Sequence, residues 1–247
     1  MLNELLLLSG NDIPFQEARM QVHPPTIKEI GYIGEETFFM GCDLLNFSKD
    51  VLSPEDKSLL EDKSNFEIFM SIMKDNTNVA IQKNKISALM VLSLLFPDYQ
   101  MSFGENIMFS RENDEEKYFI DKNNFEVFKQ ILVDIFCLNR NKKEDFNYNP
   151  AGDRARMIAE KLRKGREKAA SVKGENQKIA VFSRYISILS VGEKKSINEL
   201  LQLTVYQLFD EFERFELKQA YDAYFKAKLA GAKDIDEVDN WMKDIHT

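Results

Sequence analysis

The residues best suited to chemistry are few. They are two histidines, His23 and His246, two cysteines, Cys42 and Cys137, and several close pairs of acids, Glu35/Glu36, Asp114-Glu-Glu116 and Glu211/Glu213. A zinc or iron site would need His and Cys gathered at ligand spacing. Here His23 stands before two prolines, His246 is next to last, and the cysteines sit among large apolar residues. Acid–base catalysis needs two carboxylates held at different pKa values. In a chain with 41 acidic side chains, adjacent acids on a solvated surface account for these pairs. No nucleophile elbow, phosphate loop or dinucleotide fingerprint occurs. The expectation is a non-catalytic protein without cofactor or metal, whose cysteines are buried thiols in a reducing compartment.

What must position any working surface is a substantial core. Of 247 residues, 44% are hydrophobic, with 19 Phe and 10 Met, and the net charge is −8. That balance argues against a general nucleic-acid or membrane-surface binder. No apolar run approaches the roughly 20 residues that span a bilayer. Met1–Gly10 lacks the basic start of a signal peptide. A soluble intracellular protein is expected.

Leu5–Leu8, Ile13–Phe15 and Arg19–Val22, separated by Ser9-Gly-Asn-Asp12, read as a small β-meander. Thr26-Ile-Lys-Glu29 is a capping box opening a helix to about Leu45, weakened by Gly31, Gly34 and Gly41. Those glycines imply close packing against a neighbour. Ser53-Pro54 starts a short helix to about Leu60. Asn65 caps Phe66–Met73, with Phe66, Phe69, Met70 and Met73 at core spacing. Thr77 or Asn78 opens Val79–Phe96, apolar nearly all round from Ile86 and so a bundle centre. A β-hairpin or three-stranded meander occupies 99–120. Asn123 or Asn124 then caps a helix from Phe125 to about Leu138, burying Phe125, Phe128, Ile131, Leu132, Ile135 and Phe136. Polar Asn139–Asn149 divides an N-terminal α+β domain, 1–149, from a C-terminal helical domain, 150–247. The class is mainly α (α+β), a helical bundle with an N-terminal β-meander and a β-hairpin insertion.

Residues 151–182 carry 9 basic and 4 acidic side chains. Within them Arg154, Arg156, Lys161, Arg163, Lys164, Arg166 and Lys168 define a basic helix, 151–172. It reads either as a solvated helix supported by i,i+4 pairs or as a surface for an anionic partner. No aromatic residue interleaves with these charges, so base stacking is not supported. Gln177–Val191 follows, stopped at Gly192. Ser196-Ile-Asn-Glu199 and Thr204-Val-Tyr-Gln207 are two further capping boxes. They imply a short helix, a bend and a long helix over 205–230, about 39 Å at 1.5 Å per residue, ended by Gly231. Asp234–Ile245 reads as a terminal helix folding back through Trp241. Tyr206, Phe209, Phe212, Phe215, Tyr221, Tyr224 and Trp241 are the candidate partner-binding residues, either core or interface.

Leu203-Thr-Val-Tyr-Gln-Leu-Phe-Asp-Glu-Phe-Glu-Arg-Phe215, Lys228-Leu-Ala-Gly231 and Asn240-Trp-Met-Lys-Asp-Ile-His246 resemble the C-terminal signature of tail-region proteins from tailed bacteriophages of Gram-positive hosts. Among these they resemble the small acidic tail assembly chaperones. Pro25–Ile30 and Ile33-Gly-Glu35 are similar to a phage tail or baseplate pattern. Together these stretches cover about a quarter of the chain, and the basic segment lies outside them. The resemblance implies a non-catalytic factor of the host bacterial cytoplasm. Its partners would be the tape-measure protein and tail-tube subunits, with self-association a further expectation. Neither nucleic acid nor membrane is an expected partner. The alternatives are a structural tail or baseplate component and a nucleic-acid-binding regulator.

Overall fold

A computed structural model describes residues 2–51, 55, 58, 60–75, 79–112, 115–138, 181–231, 237–243 and 245. Among them are nine helices and two small antiparallel sheets, an α+β protein dominated by helix.

The first element departs from the sequence reading. Glu4–Ser9 is a helix, α1, rather than a strand. Asn3 accepts from the Leu5 N–H and Gly10 closes the far end at φ +68°. These two caps override the β-prone look of a leucine run. The meander therefore reduces to a hairpin, β1 (Ile13–Phe15) with β2 (Met20–Val22), paired Ile13 to Val22.

The Thr26 capping box is present in both directions. However, the helix it opens, α2 (Ile27–Ile33), stops at Gly34, where φ is +83°, and α3 (Glu35–Leu45) starts on a new axis. Only glycine holds that backbone conformation cheaply. Gly41 does what close packing requires: a Cβ there would lie 2.5 Å from the Ser87 carbonyl oxygen. Gly31 has open space instead.

The cap of α4 (Asn65–Lys74) is Ser64 with Glu67, one residue earlier than the sequence suggested. Asn65 is occupied elsewhere, accepting from Lys49 N–H and donating to Glu126. Phe66, Phe69, Met70 and Met73 are buried as expected. Helix α5 (Val79–Leu95) buries Ala88, Val91, Leu92 and Leu95 but leaves Ile86 53% exposed, so it lies against the core on one side only. Next comes the three-stranded meander β3 (Gln100–Phe103), β4 (Ile107–Ser110) and β5 (Lys117–Ile120).

In α6 (Phe125–Ile135), Asn124 stands at the cap, yet its side chain serves the preceding turn, accepting from Asp121 N–H and donating to Phe119 O. All six apolar residues assigned to this helix are buried. The start near Ser53, the polar stretch 139–149 and the basic segment 151–172 lie outside the described residues.

The chain resumes in α7 (Val181–Glu193), α8 (Ile197–Leu201) and α9 (Val205–Leu229). Gly192 lies inside α7 and does not end it. A Cβ there would meet the Phe215 ring at 2.4 Å, so this glycine lets α9 approach.

One buried cluster contains residues from both sides of 139–180. Phe38 on α3 meets Phe136 edge-on at 4.9 Å and lies 5.8 Å from Phe182 on α7, which meets Phe209 on α9. Backbone joins the same parts. Ile27 N–H donates to Leu203 O at 2.8 Å beside a bridge between Thr26 and Thr204.

Both cysteines are buried thiols not joined by a disulfide. Burial pushes the Cys42 thiol well above its ordinary value, so it holds its proton and has little nucleophilic character.

Candidate partner-binding surface

The two C-terminal capping boxes form as their sequences dictate. Ser196 and Glu199 exchange bonds at the head of α8; Thr204 and Gln207 do so at the head of α9. Gln207 also donates its side-chain N–H to Leu8 O at 2.7 Å, tying α9 to α1. The proximal part of α9 is thereby fixed as core. Tyr206, Leu208 and Phe212 are buried. Phe212 stacks on Tyr185 of α7 at 3.7 Å with an interplanar angle of 4°, and Phe209 meets the same tyrosine edge-on. Phe215 fills the notch at Gly192.

Beyond Phe215 the helix changes character. Leu217, Tyr221 and Tyr224 are half-buried, Phe225 is 51% exposed and Leu229 is 76% exposed. Phe225 stacks on Tyr221, and Lys228 sits 4.7 Å from the Tyr224 ring centroid. The seven aromatic residues singled out in the sequence thus do not act as one stripe. Tyr206, Phe209, Phe212 and Phe215 face the body of the protein, whereas Tyr221 and Tyr224 lie on the distal half and Trp241 lies beyond the helix.

Trp241 is not on a helix. Residues 237–240 have no regular structure, and a turn follows in which Lys243 N–H bonds to Asn240 O. Asn240 Oδ1 accepts from Met242 N–H, the local competition by which Asn opposes helix. The guanidinium of Arg214, midway along α9, donates to the carbonyls of both Trp241 and Lys243. Among the described residues 237–243 no helix is present, where the sequence predicts one over 234–245. At the distal end, the Lys228 ammonium is held above its ordinary pKa by Tyr224 first and then by Glu237. Sequence reasoning passed over Arg214. The signal was available, since it is the lone base among Asp210, Glu211, Glu213 and Glu216.

The acids dismissed as solvated surface divide on inspection. Lys195 donates to Glu211 at 2.6 Å and lies 3.5 Å from Glu193. Partial burial lowers the pKa of this lysine, but the Glu211 bond and charge outweigh that and leave it raised. Glu211 Oε2 is buried with no hydrogen-bond partner among the described residues. These side chains line a cleft of about 230 Å³ with Glu199, Leu200 and Leu203. Glu35 bonds to the head of α7, while Glu36 pairs with Lys83 on the surface. His23 lies 2.9 Å from Asp12 and 3.5 Å from Glu29, a histidine linking loop and capping box. Among the described residues, no three metal-capable side chains cluster and no helix is long and apolar enough to cross a membrane. Arg154, Arg156, Lys161, Arg163, Lys164, Arg166 and Lys168 lie outside the described residues.

Residues 173–246 match the family model described as the YomV second domain, a phage-associated domain. The match covers under a third of the chain, and within the described residues takes in α7, α8, α9 and the segment ending in the Arg214-bound turn. No curated protein and no solved structure matches.

Proposed function

We propose that this protein is a non-catalytic assembly factor of phage tail morphogenesis that binds the tape-measure protein or tail-tube subunits. The supporting observation is a coincidence of position. The phage-associated match covers the helices whose sequence resembles tail assembly chaperones, and there α9 carries Tyr221, Tyr224, Phe225 and Leu229 away from the core. An apolar helix face of aromatic and aliphatic side chains suits docking of a second amphipathic helix.

Co-expression with the tape-measure protein of the same phage tests this. A larger soluble fraction of that protein and a co-purifying complex are expected, both reduced by Phe225→Asp with Leu229→Asp. No association and no gain in solubility would refute the proposal. Mass spectrometry of purified particles separates a chaperone, which leaves the tail, from a component that stays in it.

A further inference from the structure

We infer that the phage-associated segment is not a free-standing module: helices α1–α3 complete it, and the two parts open and close as one cooperative unit. Contacts at three places along the segment carry this. At the start of α7, the Phe182 and Ser183 N–H groups donate to Glu35 of α3. Beside them the Phe182 ring packs on Phe38 and Phe39, with centroids 5.8 and 5.2 Å away. At the joint between α8 and α9, Leu203 O accepts from Ile27 N–H and Thr204 bridges Thr26. In the first turn of α9, Gln207 donates to Leu8 O at the end of α1.

The helices at this seam, α2, α3, α7 and α8, have 7, 11, 13 and 5 residues. At such lengths an isolated helix is marginal in water, and its order comes from packing. Separating the two parts would bring Phe38 and Phe182, 0% and 1% exposed, into water. It would also remove the acceptors of the first α7 amides and of Ile27 N–H. Each part is therefore a condition for the order of the other. Phe225 and Leu229, exposed on the distal half of α9, lie outside this unit.

Hydrogen exchange of the full-length protein, read by mass spectrometry at rising sub-denaturing urea, tests this. Amides of α3, α7, α8 and the proximal half of α9 should converge on one opening with a common urea dependence, while the distal half of α9 exchanges sooner. Glu35→Ala should speed exchange in both α3 and α7 by roughly tenfold. Glu35→Gln should restore part of the protection in both, and Glu36→Ala should change neither. The inference is overturned if α3 and α7 open in separate steps, or if Glu35→Ala speeds α7 alone.

Discussion

The carboxylate of Glu35 caps the first turn of α7 at Phe182 and Ser183, 147 and 148 positions further along the chain. Its Oε1 accepts from Ser183 N–H at 2.9 Å and from Ser183 Oγ–H at 2.8 Å, and its Oε2 from Phe182 N–H at 3.2 Å. A carboxylate on the exposed amides at a helix start stabilises both the hydrogen bonds and the helix dipole. Here this contact comes from the first turn of α3, far away in the chain.

Glu35→Ala should therefore cost about 1–2 kcal/mol, read as a lowered urea midpoint with unchanged slope. Glu35→Gln, which still accepts hydrogen bonds, should recover part of the loss. Glu36→Ala is the control, since its pairing with Lys83 is exposed and worth at most about 1 kcal/mol.

Two glycine substitutions should move stability in opposite directions. Gly41→Ala drives a methyl against the Ser87 carbonyl and Val91. Overpacking by one carbon costs about 1–3 kcal/mol, which outweighs the helix-propensity gain of about 1 kcal/mol. Gly31→Ala meets no atom within 4 Å and keeps only the gain, so its melting temperature should rise.

The two halves of α9 should separate under truncation. Phe212→Ala opens a cavity beneath Tyr185 and should cost about 3–5 kcal/mol. Phe225→Ala, on the exposed half, should stay within about 0.5 kcal/mol of the parent. If both prove equally destabilising in thermal melts, the division into core and free halves is wrong.

Acid should weaken three capping boxes together. Thr26 hydrogen bonds, with His23, outweigh burial to lower the Glu29 pKa; Ser64 lowers Glu67, and Ser196 lowers Glu199. A lowered folded-state pKa gives stability that is present above the ordinary carboxylate value, near 4.3, and lost as pH falls through the folded value. Burial raises Asp43 and contributes with opposite sign. In an Asp43→Asn background, changing Glu29, Glu67 and Glu199 to Gln should flatten the acid limb of a pH–stability curve.

Capping boxes were legible in the sequence because their bonds are local: Thr26, Ser196 and Thr204 stand where a four-residue pattern puts them. Gly34 and Gly192 were visible as glycines but not as a break and a notch. The break at Gly34 follows from its φ of +83°, and the notch at Gly192 from the Phe215 ring opposite. Helix α1 was misread because Asn3 and Gly10 are weaker signals than four consecutive leucines. The sequence named the candidate surface as one stretch, whereas its division at Phe215 follows from tertiary contacts with α7. The segment around Trp241 was placed against α9 correctly in outline, but the Arg214 bonds that fix its shape depend on spatial proximity alone.

The bond from Gln207 to Leu8 spans 199 positions, and that from Ser183 to Glu35 spans 148. At a synthesis rate of about 5–20 residues per second, closing the second takes on the order of 10 seconds after Glu35 emerges. Throughout that interval α3 lacks Phe182 of α7, which packs on Phe38 and Phe39. The nascent chain thus spends its synthesis with an open aromatic seam, and the phage-associated segment is what closes it.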